Sequence, residues 1–352
     1  MPFTENEQHD DSHSRMSRSA SQSLTEAVRE LLQFGIDVQP PLQQETSSPY
    51  PSPRKKIVEY RIEGDLGSGA YSIVKRARHR EAHDDAPCVA LKMLIKSRLR
   101  PELIFHDFDT GLSLPVELYV LRHLREHPHP NIISMIDTWE DSLYYYIVMP
   151  LNGPSGIDLF EAIERSRDFL PPERVARIIS QIIMAVAHLH LALGVAHRDI
   201  KDENIIIDER IDHTQLIDFG SAAYFRAQEE APLTEAEIRC GKRQADYDVY
   251  YGTQEYAAPE VVRGERYIGP PQDIWALGVL LYVLAFKEVP FPTPQSVLEH
   301  RLRIPFEPSP DIVRMVQWLL EPDIAKRPTA EQLIADPWVI QSYTQPFRDC
   351  SS

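Results

Sequence analysis

The run His197-Arg198-Asp199-Ile200-Lys201-Asp202-Glu203-Asn204, followed by Asp218-Phe219-Gly220, constrains this chain more than any other feature. Apolar runs flank it, from Val175 to Val195 before and from Ile205 to Ile207 after. So polar a stretch between such apolar ones must be a loop carried by a core. It sets a carboxylate, a lysine and an asparagine amide a few residues apart, and Asp218 adds a second carboxylate at the end of the next strand. For the bare tripeptide His197-Arg198-Asp199, a chance match in a surface loop is the better reading. With Lys201, Asn204 and Asp218-Phe219-Gly220 in register, chance falls to roughly one in a thousand.

The 352 residues leave room for one large or two ordinary domains with sizeable cores. No apolar run approaches the length that spans a bilayer, and no basic region with an apolar stretch opens the chain. The three cysteines, Cys88, Cys240 and Cys350, are scattered and form neither a zinc pattern nor a disulfide framework. That usage fits a reducing compartment, so a cytoplasmic protein with possible access to the nucleus is expected. The net charge is −16, and the first 55 residues carry only −3 of it. An acidic body argues against nucleic-acid and anionic-membrane binding and would attract basic peptides. As evidence for a substrate this is weak, because most surface charge is simply solvated.

Residues 1–55 read as a Ser-, Gln- and Pro-rich tail. Within it Ser23-Leu24-Thr25-Glu26 has capping-box form, and Leu24, Val28, Leu31 and Leu32 share one face of a short amphipathic helix over 24–34. From Tyr60 the texture becomes strand–turn–strand. Gly67, Ser68 and Gly69 form a glycine-rich turn that lets backbone amides approach phosphate oxygens, and Val74 lies on the strand beyond. Alone, this would be a plain hairpin. Val89-Ala90-Leu91-Lys92 is a short apolar strand ending in a lysine, which faces inward only if an anion meets it. Glu117 is the expected partner, on a helix whose Val120, Leu121 and Leu124 make an apolar stripe. Residues 97–115 make a long connection to that helix, and His129 to Ile133 are expected to cap it.

Leu143 to Met149 reads as an interior strand and Pro150-Leu151-Asn152-Gly153 as a hinge. A long helix begins at Pro171-Pro172-Glu173, with Val175, Ile178, Ile179, Ile182, Ile183, Val186 and Leu189 at helical spacing. That stripe is core. A further helix is expected from Asp273, and Asp336-Pro337-Trp338 is expected to mark the end of the domain.

Taken together, residues 57–340 resemble the catalytic domain of eukaryotic serine/threonine protein kinases. The resemblance is nearest to PAS-domain-containing kinases, with a Pim-like catalytic loop. It rests on His197–Asn204 with Asp202 in place of the common proline, on Leu216–Tyr224 and on Gly252-Thr253-Gln254-Glu255-Tyr256. Ser72 in place of a third glycine and the long stretch after Phe225 are departures. The first 55 residues are too few and too polar for a sensory PAS domain, so ligand sensing of that kind is not expected.

The resemblance implies a two-lobed α+β fold. Its small β-rich lobe with one key helix would span 57–149, its hinge 150–153 and its larger helical lobe 154–340, with 341–352 a short tail. It implies ATP and Mg²⁺ as cofactors, protein substrates, and transfer to Ser or Thr. Asp199 would then orient and accept from the hydroxyl, Lys201 offset charge on the moving phosphoryl group, and Asn204 and Asp218 hold the metal. Lys92, kept in place by Glu117, would align the α- and β-phosphates under the Gly67–Gly69 turn. Val74, Ala90, Met149, the Pro150 carbonyl and the Asn152 amide would surround the adenine.

Phe219, His197 and Leu121 would stack as an internal column. Asp273 would hold the catalytic-loop backbone, and Glu260 would pair with Arg327. Asp158 and Glu203 match positions that read arginines upstream of the target, and Thr253 lies in the stretch that seats the residue after it. Arg198 ordinarily needs an anion, yet Val249 stands where many such enzymes carry a phosphothreonine, so activity without phosphorylation there is expected. A monomer is expected too. A pseudokinase scaffold would have lost Lys92, Asp199, Asn204 or Asp218, and all four are present.

Overall fold

The computed structural model describes residues 57–83, 86–107, 111–151, 157–210, 212–225, 246–247 and 249–344. All of them lie within one unit, Pro40–Ser352. The expected tail helix at 24–34 and the hinge residues Asn152 and Gly153 lie outside the described residues.

The small lobe is a five-stranded antiparallel sheet in the order β1-β2-β3-β7-β6. Its strands are β1 (Tyr60–Ser68), β2 (Ser72–His79), β3 (Val89–Ile95), β6 (Asp137–Glu140) and β7 (Tyr144–Pro150). A short hairpin of β4 (Ile104–His106) and β5 (Ser113–Pro115) leads into helix α1 (Val116–Glu126). On one side of the sheet Tyr60, Trp139 and Tyr146 stack over Leu91 and Met93 as a buried cluster. Register sets the other side. Val74 is opposite Lys92, Ala90 opposite Met149, and Lys92 opposite Ile147. Directly paired residues share a face, as do residues two apart. One face therefore carries Val74, Ala90, Lys92, Ile147 and Met149.

The described residues of the connection before α1 pack against it. Phe105 of β4 packs on Tyr119 of α1 at 4.2 Å and on Tyr224 at 5.1 Å, and Tyr224 Oη shares a 2.8 Å hydrogen bond with His123 Nδ1. The hairpin thus ties α1 to the segment that follows Asp218. His129 to Ile133, in contrast, do not cap α1. That helix closes at His127, whose N–H donates to the His123 carbonyl. Asn131 is instead buried beside the long helix of the other lobe, donating to Gln181 Oε1 and the Thr214 carbonyl, each at 2.8 Å.

The large lobe is built on helices α2 (Leu159–Arg165), α3 (Pro172–His188), α4 (Pro259–Val262), α5 (Gly269–Phe286), α6 (Pro294–Leu298), α7 (Pro310–Leu319), α8 (Ala330–Ile334) and α9 (Pro337–Thr344). Short ribbons β8–β11 (Val195–Ala196 with Ala223–Tyr224) and β9–β10 (Ile205–Asp208 with His213–Leu216) frame the catalytic loop, and β12 (Asp246–Tyr247) pairs with β13 (Tyr267–Ile268). Proline opens α3, where its missing N–H costs nothing, and Gly194 at φ +63° ends the wide turn that follows. Through that turn, residues 172–193 are long and apolar enough to cross a membrane, contrary to the reading of the sequence. The apolar window is 83% buried, which identifies it as a core helix. Its Ile178, Ile179 and Ile182 are fully buried, each contributing about 1.5–3 kcal/mol of transfer free energy before ordering costs. Helix α5 is buried almost all round and starts at Gly269, a turn before Asp273. Helix α9 packs on α3 through buried Val339 and Ser342, so the packed chain continues to Thr344.

Candidate active site

Lys92 sits on β3, buried at 5% exposure, with its ammonium 2.6 Å from Glu117 Oε1 and 3.0 Å from Asp218 Oδ1. Burial alone would depress it, but the Asp218 and Glu117 carboxylates overcome that and raise it above the ordinary lysine value. Burial pushes the Glu117 carboxyl up, to about 7, with Lys92 pulling the other way. The second Glu117 oxygen makes no hydrogen bond among the described residues, although the Phe219 N–H helps to hold its charge. Asp218 is also buried on its protein side. That burial is outweighed by Lys92 and the Gly220 amide, which hold its carboxyl below the usual range.

The catalytic loop hangs from Asp273, which is fully buried. Its Oδ1 accepts the Arg198 amide at 2.7 Å, and its Oδ2 accepts the His197 amide at 2.8 Å and His190 Nε2 at 2.9 Å. These bonds hold Arg198 at φ +68°, a left-handed conformation that non-glycine residues rarely adopt. Asp218 is likewise left-handed at φ +62°. His197 meets Phe219 edge to face at 5.1 Å and donates through Nε2 to the Ile217 carbonyl, with Leu121 buried on α1. The three residues expected to form an internal column are thus all buried, and α1 packs directly against Phe219.

Asp199 is gripped from two sides. Its Oδ1 accepts the Thr253 N–H and the Thr253 hydroxyl, each at 3.0 Å, and its Oδ2 accepts Asn204 Nδ2 at 3.0 Å. Asn204 Nδ2 also donates to the Asp199 carbonyl at 2.7 Å, and its amide oxygen accepts no hydrogen bond among the described residues. Lys201 Nζ lies 3.9 Å from Asp199 Oδ2 and closer, at 2.6 Å, to Glu203 Oε2. Glu203 stays half exposed at 52%. Asp158 caps α2, its Oδ1 accepting the Glu161 amide at 2.7 Å. Its carboxyl is raised by burial, with Glu161 and Glu203 adding to the rise.

Above the cleft, Gly67 and Ser68 end β1, and the Gly69 N–H donates to the Ser72 carbonyl at 2.9 Å. A Cβ at Gly67 would meet nothing within 4 Å, so the protein's own packing does not require glycine there. Pro150, half-buried, ends β7 opposite Val89, with Met149 beside it.

Several site residues escaped the sequence reading. Tyr71, at the tip of the glycine-rich turn, folds over Gly220 so closely that a Cβ there would collide with its phenol. Asp202 accepts the Tyr256 hydroxyl at 3.1 Å, joining the catalytic loop to the Gly252–Tyr256 stretch. Gln272 spans that stretch, accepting from the Ala258 amide and donating to the Tyr256 carbonyl, both at 2.9 Å. Gly252 has no room for a side chain, since a Cβ would sit 2.5 Å from the Arg198 carbonyl. The only available signal was Asp202 standing where similar loops carry proline.

The oxygen set suits Mg²⁺. Asp218 keeps 41% of its side chain exposed, and the Asn204 amide oxygen accepts no hydrogen bond among the described residues. Among the described residues no cluster of three or more acidic, His or Cys side chains could hold a metal alone. Mg²⁺ is commonly held by one or two side chains together with phosphates and water.

A two-lobed domain, with a strand lysine paired to a helix carboxylate above a loop carrying Asp199 and Asn204, defines a phosphotransferase architecture. The protein kinase domain family matches residues 60–339, and the chain belongs to that family. Serine/threonine-protein kinase PSK2 of Saccharomyces cerevisiae is 36% identical over 288 residues, covering 81% of this chain and 24% of that protein. Serine/threonine-protein kinase ppk6 of Schizosaccharomyces pombe is 39% identical over 284 residues, 80% of this chain and 33% of that one. The PAS domain-containing serine/threonine-protein kinase of Mus musculus is 36% identical over 284 residues, 80% and 18% respectively. The chain thus spans a third or less of the length of these relatives.

Proposed function

We propose that this chain is an ATP-dependent protein kinase that phosphorylates serine and threonine, favours substrates with upstream basic residues, and works without activation-segment phosphorylation. The observation that carries the reading is the buried Lys92 ammonium shared between Glu117 and Asp218. Bound ATP and Mg²⁺ supply the transferable phosphoryl group and the positive charge that offsets it. Asn204 and Asp218 would hold the metal, Lys92 would align the α- and β-phosphates, and the Gly67–Gly69 turn would cover them. Val74, Ala90, Met149 and the Pro150 carbonyl receive the adenine. Asp199 would orient the substrate hydroxyl and accept its hydrogen bond, and Lys201, which lies 2.6 Å from Glu203, would offset the negative charge that grows during transfer. Positioning and fixed charge carry most of the rate enhancement.

Glu203 and Asp158 place two carboxylates within electrostatic reach of each other, which supports an arginine or lysine site upstream of the target. Independence from activation-segment phosphate rests on Arg198. Its guanidinium donates to the Val249 carbonyl at 3.1 Å and to Tyr267 Oη at 3.0 Å, and lies within 6 Å of the Tyr251 and Tyr267 rings. Such partners can hold the group without a phosphate.

The test is a positional-scanning peptide assay with labelled ATP and Mg²⁺, run beside Asp199→Asn. Transfer to Ser/Thr peptides with upstream arginine, absent in the variant, is the expected result. Transfer without that preference would remove the basophilic reading, and equal transfer by both proteins would remove the catalytic assignment.

A further inference from the structure

A cavity of about 280 Å³ opens beside the cleft, lined by Tyr71, Arg98, Arg100, Gly220, Ser221 and Tyr251 among others. It is not the nucleotide site, because none of Lys92, Glu117, Asn204 or Asp218 lines it. Arg98 and Arg100 come from the connection between β3 and the β4–β5 hairpin, and both are exposed. Among the described residues neither has a hydrogen-bond or ion-pair partner. No carboxylate among the described residues lines the cavity, although the protein carries a net charge of −16. Two unpaired guanidinium groups on one wall suit a doubly charged oxyanion, which arginine binds in bidentate fashion. The volume falls below the ~300 Å³ at which pockets for whole small-molecule ligands begin, so a single side chain is the better fit.

Position decides where that side chain comes from. Tyr251 precedes Thr253 by two residues, and Thr253 holds the Asp199 carboxylate. The cavity therefore adjoins the seat of the phosphoacceptor, on the side of the Gly252–Tyr256 stretch. Asp158 and Glu203 belong to the helical lobe, and Arg98 and Arg100 to the small lobe. A substrate crossing Asp199 meets carboxylates on one wall and guanidinium groups on the other.

We propose that Arg98 and Arg100, with the hydroxyl-bearing Ser221 and Tyr251, form an anion subsite that takes a phosphorylated side chain downstream of the target residue. This rests on the kinase reading above and adds a substrate class to it: proteins already phosphorylated by another enzyme. Arg98→Ala with Arg100→Ala removes the site without touching the nucleotide cleft.

The test compares kcat/KM of the purified full chain on a serine peptide and on copies bearing one phosphoserine at each of the four following positions. The expected result is a rise of about tenfold or more at one position, carried mainly by KM, as charge-assisted hydrogen bonds would give. The double variant is expected to lose that rise while turning over the unprimed peptide like the wild type. An unprimed peptide turned over as well as every primed one, or a rise that survives in the double variant, overturns the subsite and leaves the kinase reading standing. Failure to phosphorylate any peptide overturns both. Mass spectrometry of the same preparation with a Tyr251→Phe control separates the other source of phosphate. Phosphate found on Tyr251, together with loss of activity in the Phe variant, would assign the arginines to the chain itself.

Discussion

Two buried ion pairs, one in each lobe, show how differently the same kind of contact is built. In the large lobe, Arg327 donates to both Glu260 oxygens, at 2.8 and 3.1 Å. It also donates to the Glu321 and Pro271 carbonyls, each at 2.9 Å, and packs 5.1 Å from the Trp275 ring. In the small lobe, Lys92 holds one oxygen of Glu117, leaves the other without a hydrogen bond among the described residues, and is shared with Asp218. A pair with every group satisfied has nothing to gain from a ligand. A pair left short of partners is held ready for one, and part of its folding free energy is forgone for that readiness. Completeness of hydrogen bonding separates the pair that holds the fold from the pair that serves the cleft.

Removing the cation from each pair tests this contrast most strongly. Arg327→Leu leaves Glu260 buried without its fork and is expected to cost about 3–5 kcal/mol of stability, read by denaturant or thermal unfolding. Lys92→Met is expected to lower turnover by about 10²–10³-fold or more while costing under about 2 kcal/mol of stability, because Glu117 can take up a proton instead. Equal stability losses in the two variants would break the distinction.

A smaller effect is expected from pH. Glu117 sits at about 7, raised from 4.5, so its contribution to stability is full below about pH 4.5 and is lost as pH rises through 7. The ion pair runs the other way, since Lys92 needs the carboxylate. The kcat/KM for ATP should fall as pH drops below about 7, over the range where the Glu117 contribution to stability grows. An acid limb confined to pH 4–5 would refute it. The smallest effect is expected at Arg198: complete phosphatase treatment should change activity less than about twofold, and abolished activity would show that its partners do not suffice.

Much of the site could be read from the sequence because local backbone geometry fixes short spacings. Asp199, Lys201 and Asn204 lie on one loop, Phe219 follows Asp218, and the Val175–Leu189 stripe has a helical period. Pairing of Lys92 with Glu117 was legible as a lysine ending an apolar strand that needs an anion, and pairing of Glu260 with Arg327 was legible only through the family resemblance. Other features depend on segments far apart in sequence. The Phe105–Tyr119–Tyr224 cluster joins three of them, and neither the hairpin nor the ring packing leaves a periodic trace. Glu203 also lies against Lys201, and Asp158 also caps its own helix, contacts that a role toward substrate does not reveal. A carboxylate's sequence neighbours do not say which donor reaches it first.

Sequence alone determined the class of fold, through its stacked motifs, and the long core helix, through the periodicity of its apolar residues. Only the tertiary structure decided that Thr253 clasps Asp199, that Asp273 holds Arg198 in a left-handed conformation, and that Arg98 and Arg100 line one cavity with Tyr251. Those contacts join residues from 54 to 75 positions apart in the first two cases. No local rule fixes such approaches; they are set by how the two lobes' cores pack and by which buried polar groups must find partners when they do.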